Sequence, residues 1–169
     1  MKSLFESHTH SVYLKPGEVV VSRKPLLVST VLGSCVAVTM FSSSKSFAAI
    51  CHAMLPENFG SESDFRYVDT AIRHINDKIR QNGVGNDLVV KLFGGAQVLN
   101  VAEKKSQKKT IGDQNVTAAE KILSELGFNI SARDTGGLQG RKLFFCTRSG
   151  DVYMRKMRGR EVISEEMNL

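Results

Sequence analysis

The stretch CVAVTMFSSSKSFAAICHAM, residues 35–54, contains two apolar runs separated by a short polar segment. Both runs are rich in residues that favour β-strands, and the Ser42–Ser46 segment between them favours a turn. The stretch therefore predicts a β-hairpin. The hairpin also carries Cys35 at its start and His52 near its end, two residue types that together can form a nucleophilic site.

Further strands are predicted on both sides of this hairpin. Gly17–Val31 is rich in Val, Leu and hydroxyl residues and predicts one or two short strands, broken near Lys24-Pro25. After the hairpin, apolar runs predict strands at Leu88–Phe93, Phe128–Arg133, Leu143–Thr147 and Val152–Met154.

Two amphipathic patterns predict helices. Over Asp64–Gln81 the apolar residues recur at intervals of three and four, and Ser61 or Ser63 is in position to cap the first turn. Gln114–Leu126 repeats the pattern after Asp113, a residue suited to a helix N-cap. Runs of strands interrupted by two long helices predict an α/β (α+β) layered sandwich with a mixed β-sheet core, rather than a regular doubly wound fold.

Length and composition fit one soluble domain. The chain has 169 residues, of which 41% are hydrophobic and 24% charged, and such a chain can bury a hydrophobic core. We expect a single domain over residues 1–169, with a core at about 15–155 and terminal segments at 1–14 and 156–169. The apolar runs are too short or too polar to cross a bilayer, and Met1–His10 shows no secretory signal. We therefore expect a cytoplasmic protein without direct membrane insertion.

Cysteine usage and charge narrow the class of function. Cys35, Cys51 and Cys146 are an odd number without close spacing, which indicates a reducing compartment and argues against a disulfide framework or a structural zinc site. The net charge is +6, with basic residues concentrated in Lys104–Lys109 and Arg155–Arg160. These clusters lack the interleaved aromatic residues of single-strand binding surfaces. We interpret them as solvated segments and expect no nucleic acid as a partner.

Cys35 and His52 are the candidate catalytic residues. A thiol becomes a good nucleophile at neutral pH when a base such as imidazole lies beside it. If Phe41 faces Ser46 across the turn, the hairpin register places Cys35 directly opposite His52, with Cβ atoms about 4.5–5.5 Å apart. A register slipped by one residue would place the two side chains on opposite faces of the sheet.

The residues before the cysteine supply the other parts of a candidate site. Gly33-Ser34 suits a sharp turn, which can leave the amide hydrogens of Ser34 and Cys35 available to bind a developing oxyanion. A catalytic histidine also needs a group that orients its ring. The hydroxyls of Ser29 and Thr30 are the local candidates for that group.

A series of short motifs runs through about residues 15–155. The motifs are Leu32–Val38, His52–Pro56, Lys91–Ala96, Ile111–Asn115, Asp134–Gly137 and Gly140–Lys142. In these motifs and their order the sequence resembles a known family, the chemoreceptor glutamine deamidases, CheD. The resemblance implies a compact α/β fold like that of deamidating bacterial toxins.

The resemblance also implies a Cys–His–Thr site. Cys35 would be the nucleophile, His52 the base, and a hydroxyl would orient the histidine. The family threonine, six residues before the cysteine, falls on Ser29 in this sequence, and Thr30 is adjacent. Both hydroxyls therefore stay open as the third residue. The implied thioester chemistry requires no metal and no organic cofactor.

By the same resemblance, the substrate would be specific glutamine side chains in the cytoplasmic helical region of chemoreceptors, which are hydrolysed to glutamate. A complex with a CheC-type phosphatase is also implied, and we expect the chain to be a monomer when free. Two alternatives stay open. One is a non-catalytic adaptor that binds the receptor or CheC, and the other is a thiol amidase or peptidase of different specificity.

Overall fold

The computed structural model describes residues 10–59, 63–97 and 109–158, which form strands β1 to β9 and helices α1 and α2. The strands are β1 (Ser11–Tyr13), β2 (Val19–Ser22), β3 (Leu27–Leu32), β4 (Val36–Ser42), β5 (Phe47–Ala53), β6 (Val89–Gly94), β7 (Ile130–Thr135), β8 (Arg141–Cys146) and β9 (Val152–Lys156). The helices are α1 (Val68–Gln81) and α2 (Ile111–Glu125). Every predicted strand has a counterpart here, and β1 is a strand that the sequence did not predict.

The strands form two sheets, with orders β1-β3-β8-β9 and β2-β5-β4-β6-β7. Each sheet is mixed, because β1 runs parallel to β3 in the first sheet and β6 runs parallel to β7 in the second. One apolar cluster fills the space between the helices and the five-stranded sheet, and another lies between the two sheets. The layers are therefore helix, sheet and sheet, which confirms the predicted α/β (α+β) layered sandwich.

The predicted hairpin is β4 and β5, but its register differs by two residues from the predicted one. Ala37, and not Cys35, is the Cα partner of His52, and Ser42 pairs with Phe47. The turn begins one residue later than predicted because Ser42 still belongs to β4, where its hydroxyl donates to the Asp87 carboxylate at 2.8 Å. A shift of two residues preserves the face of each side chain.

Helix α1 starts at Val68, one turn after the predicted start at Asp64. The Asp64 carboxylate accepts hydrogen bonds from the backbone and the guanidinium of Arg66, which hold this segment in a turn before the helix. Tyr67 is the N-cap residue and makes no side-chain capping bond, so the predicted cap at Ser63 is wrong. The alternative cap, Ser61, lies outside the described residues.

Helix α2 begins earlier than predicted, at Ile111. Its N-cap is Thr110, whose hydroxyl accepts a hydrogen bond from the Asp113 amide, while the Asp113 carboxylate accepts one from the Thr110 amide. Asp113 is thus the third residue of a capping box rather than the cap itself.

Regular secondary structure is present before residue 15, where the predicted core began. Strand β1 lies within the predicted terminal segment, and Leu14 after it is fully buried between the sheets. Most of the basic cluster Lys104–Lys109 lies outside the described residues, as does the end of Arg155–Arg160. In the described ranges, neither helix has the length and apolar character that a membrane span requires.

Candidate active site

The candidate site lies where the chain passes from one sheet to the other. Strand β3 belongs to the four-stranded sheet and β4 to the five-stranded sheet, and Gly33-Ser34-Cys35 connects them. Thr30 therefore reaches the site from the first sheet, while His52 reaches it from β5 of the second. Apolar side chains cluster between the sheets beside these groups, and Thr30 and His52 are only 0% and 1% exposed, so both polar side chains are shielded from water.

Cys35 packs in the apolar cluster between the sheets and is only 7% exposed. It lies two residues before Ala37, the Cα partner of His52, so Cys35 and His52 are diagonal neighbours rather than directly opposed residues. Such diagonal neighbours on one face are about 7–8 Å apart, a separation that longer side chains can bridge. The predicted direct pairing is wrong, but the shared face on which the prediction depended is present.

A hydrogen-bond chain determines which nitrogen of His52 carries a proton. The Thr30 hydroxyl donates to the Leu14 carbonyl at 2.7 Å, and the same oxygen lies 2.7 Å from His52 Nδ1. A hydroxyl has one proton to donate, and a carbonyl can only accept. His52 Nδ1 must therefore donate to Thr30, which leaves Nε2 of the neutral ring without a proton.

The environment of His52 keeps the ring neutral. His52 is 1% exposed, and burial lowers the pKa of its imidazole to about 4. Nε2 is buried and has no hydrogen-bond partner among the described residues. An unprotonated ring nitrogen of this kind can accept a proton from a thiol on the same face.

The structure brings Thr30, and not Ser29, to His52. Successive side chains on a strand point to opposite faces, and Thr30 is fully buried between the sheets while Ser29 is partly exposed on the other face of β3. The sequence left both hydroxyls open, and the geometry of β3 separates them.

Three consecutive carbonyls hold the turn before β4 in place. The carbonyl of Gly33 accepts from the Ala96 amide at 2.9 Å, and that of Cys35 accepts from the Gly95 amide at 2.8 Å. The Ser34 carbonyl accepts from Asn115 Nδ2 at 3.0 Å. With its carbonyls engaged in this way, the turn is held against the end of β6 and against α2.

The amide of Ser34, a predicted oxyanion donor, makes no hydrogen bond with the described part of the chain. Ser34 is also partly exposed, in contrast to Gly33 and Cys35 on either side. A substrate oxygen would therefore have access to this donor.

A close backbone approach requires glycine at position 94. Gly94 has a φ of +106°, and a Cβ at this position would collide with the Cys35 carbonyl oxygen. The contact lets β6 end directly beside the turn, where Gly95 then donates to the same carbonyl.

The other two cysteines lie elsewhere. Cys51 is on the opposite face of β5, in the cluster beneath the helices, where burial raises the pKa of its thiol to about 11. Cys146 is buried in β8. Neither is placed to act as a nucleophile beside His52.

No group of three or more His, Cys, Asp or Glu side chains within residues 10–59, 63–97 and 109–158 is arranged to hold a metal ion. The polar groups at the site are a thiol, an imidazole, a hydroxyl and an amide, a set suited to acyl transfer through a covalent intermediate.

Several residues that shape the site were not singled out from the sequence. Leu14 provides a carbonyl, Gly94 and Gly95 provide a close contact and a donor, and Asn115 provides a side-chain amide. The last three lie in motifs that carry the family resemblance, which was the available signal. Nothing in their spacing relates them to Cys35.

Comparison with known proteins identifies the family of this chain. A family model described as CheD chemotactic sensory transduction matches residues 54–156. The family-model match begins after Cys35 and His52. The alignments with individual relatives cover about nine-tenths of the chain and therefore include both residues.

Several curated relatives align over most of their length. The chain is 43% identical over 155 residues to the probable chemoreceptor glutamine deamidase CheD 2 of Geobacter sulfurreducens, covering 90% of this chain and 94% of the relative. It is 44% identical to a probable chemoreceptor glutamine deamidase CheD of Maridesulfovibrio salexigens, covering 90% and 95%. For a relative of that name from Nitratidesulfovibrio vulgaris, identity is 38%, with 94% and 83% covered.

Among solved structures, the chain is similar to the hypothetical protein YfiH of Bacillus licheniformis, with a TM-score of 0.46 and 13% identity. That similarity covers 72% of this chain and 49% of the other. On the family model and the relatives together, this chain belongs to the CheD family.

Proposed function

We propose that this protein is a chemoreceptor glutamine deamidase, which hydrolyses the side-chain amides of receptor glutamines to glutamate. The main support is the bond between His52 Nδ1 and Thr30, which leaves an unprotonated Nε2 on the face of the sheet that carries Cys35. The relatives are named for this activity.

In the first half of the reaction, Cys35 attacks the side-chain amide carbon of the substrate. The thiol proton moves to His52 Nε2 while the sulfur–carbon bond forms, giving a tetrahedral intermediate with a negatively charged oxygen. The amide of Ser34 binds this oxygen. His52 then returns the proton to the leaving nitrogen, and ammonia departs as the thioester forms.

The second half of the reaction regenerates the enzyme. His52 Nε2 takes a proton from a water molecule, and the hydroxide attacks the thioester carbon. The second tetrahedral intermediate collapses with loss of the Cys35 thiolate, which takes up the proton held by His52. The carboxylic acid that is released ionises to glutamate by giving its proton to water, and the reaction needs no electron transfer and no external cofactor.

The proposed substrate is the cytoplasmic helical region of a chemoreceptor, so the protein would act in the cytoplasm. The net charge of +6 suits an acidic helical surface. A CheC-type phosphatase is the proposed partner, and the free protein is proposed to be a monomer of one domain.

Mass spectrometry of a receptor cytoplasmic fragment tests the function. Incubation with the full chain should produce the small mass gain of amide-to-acid conversion at particular glutamines. A fragment that binds without any mass change would favour the adaptor, and cleavage of the fragment would favour a thiol peptidase. Either result would overturn the proposal.

Replacement of Thr30 by valine is expected to lower kcat by about 100-fold, toward the lower limit of what a positioned acid–base group contributes. Valine keeps the shape of the side chain but removes the acceptor for His52 Nδ1. The proton can then occupy Nε2, where it blocks the base. Turnover of the receptor fragment, normalised to folded protein, measures this effect.

Two variants control for the effect of Thr30→Val. Thr30→Ser keeps the hydroxyl and should retain most of the activity. Ser29→Ala alters the adjacent residue on the other face of β3 and should behave as the wild type. A large loss in Ser29→Ala with none in Thr30→Val would show that Thr30 does not orient His52.

A further inference from the structure

We propose that Asn115 is a positioning residue that holds the Cys35 turn against the strand end that carries His52. The inference rests on the proposed function, because it assigns a role to Asn115 in the same reaction. Asn115 lies in α2, on a different layer from both catalytic candidates, and its side chain is fully buried.

The geometry of the Asn115 amide supports this role. Nδ2 donates to the Ser34 carbonyl at 3.0 Å and to the Met54 carbonyl at 3.1 Å. Ser34 directly precedes Cys35, and Met54 follows His52 by two residues. One NH2 group therefore uses both its protons to join the segment of the nucleophile to the segment of the base.

The orientation that makes these two bonds leaves the oxygen of the Asn115 amide unpaired within the described part of the chain. Asn115 Oδ1 is buried and has no hydrogen-bond partner among the described residues. A buried acceptor without a partner destabilises the folded state, and reversing the amide would place its oxygen against two carbonyls. The residue thus serves as a double donor, at a position where a fully apolar side chain would avoid the unpaired oxygen.

Helix α2 packs directly against the backbone that holds the Cys35 turn. A Cβ at Gly112 would lie 2.7 Å from the Ala96 carbonyl oxygen, so the first turn of α2 packs directly on the Gly95-Ala96 segment. Those two residues donate to the carbonyls of Cys35 and Gly33. The helix therefore supports the turn on two sides, through backbone packing and through Asn115.

The test compares Asn115→Ala with the wild type in the full chain. We expect kcat on the receptor fragment to fall by about 100-fold, as a displacement of about 1 Å can cause, with KM nearly unchanged. The rate at which iodoacetamide alkylates Cys35, followed by peptide mass spectrometry, should differ severalfold from that of the wild type, because the turn that holds the thiol shifts. Asn115→Ser keeps one donor and should give an intermediate loss.

Ile122→Ala is the matched control. Ile122 is buried in the same helix but packs in the apolar cluster on the helix side of the five-stranded sheet. It should lower thermal stability while leaving kcat and the alkylation profile of Cys35 as in the wild type. A purely structural role for Asn115 predicts that Asn115→Ala behaves in the same way.

The outcomes separate this inference from the proposed function. Wild-type kcat and alkylation profiles in folded Asn115→Ala or Asn115→Ser would overturn the positioning role. A wild-type protein that converts no glutamine would overturn the function, whereas the alkylation profile of Cys35 needs no substrate and would still report on Asn115.

Discussion

Replacement of Cys35 by alanine is expected to abolish the conversion of receptor glutamine to glutamate. Without the sulfur no thioester can form, and the remaining groups can only direct water at the amide. The loss of the nucleophile in enzymes that act through a covalent intermediate lowers kcat by about 10⁴-fold or more. The mass gain of the receptor fragment should therefore disappear at every glutamine that the wild type modifies.

Cys51→Ala is the matched control for this prediction. Cys51 is also a buried thiol on the hairpin, but it faces the helices, and burial raises the pKa of its thiol to about 11. Its replacement removes a few apolar contacts and should leave the rate close to that of the wild type. Retained activity in Cys35→Ala, or loss only in Cys51→Ala, would contradict the proposed mechanism.

The face shared by Cys35 and His52 could be predicted from the sequence, although their pairing could not. The two apolar runs and the polar turn predicted the hairpin, and alternation along a strand then related the two residues. The register depends on where the turn begins, and Ser42 is kept in β4 by Asp87, a residue far away in the chain. A contact of this kind has no local signal. The register error of two residues kept Cys35 and His52 on one face of the sheet, whereas an error of one residue would have placed them on opposite faces.

The choice of Thr30 over Ser29 and the contact of Asn115 with the Cys35 turn could not be predicted, for a different reason. Ser29 and Thr30 both carry a hydroxyl, and only the pairing of β3 with its neighbours shows which of them faces β5. Asn115 lies 81 residues after Ser34 in the chain, and its role depends on how α2 docks. The motif Ile111–Asn115 marked this residue as part of the family pattern but did not indicate what it contacts. Only the tertiary packing of α2 shows that contact.

The site couples stability to pH through His52, because the ring is buried in its neutral form. The pKa of His52 is lowered from 6.5 to about 4 by burial. Above about pH 6.5 the ring is neutral in both the folded and unfolded states. As the pH falls from 6.5 to about 4, the unfolded chain takes up a proton that the folded protein excludes, so unfolding becomes more favourable. Below about pH 4 both states are protonated and this contribution stays constant.

His52→Gln is therefore expected to abolish activity and also to flatten the dependence of stability on pH. The wild-type free energy of unfolding should fall by about 3 kcal/mol between pH 6.5 and 4 from this group alone, and the variant should lack that part of the fall. Urea unfolding of both proteins at several pH values measures the difference, with His10→Gln, at an exposed position, as the control. The wild-type kcat/KM should likewise stay high at about pH 5, since His52 is still unprotonated there. An equal fall in both proteins, or an acid limb of kcat/KM near 6.5, would show that the ring is not held neutral, and the proton transfer from Cys35 to Nε2 would need to be replaced by a resting ion pair.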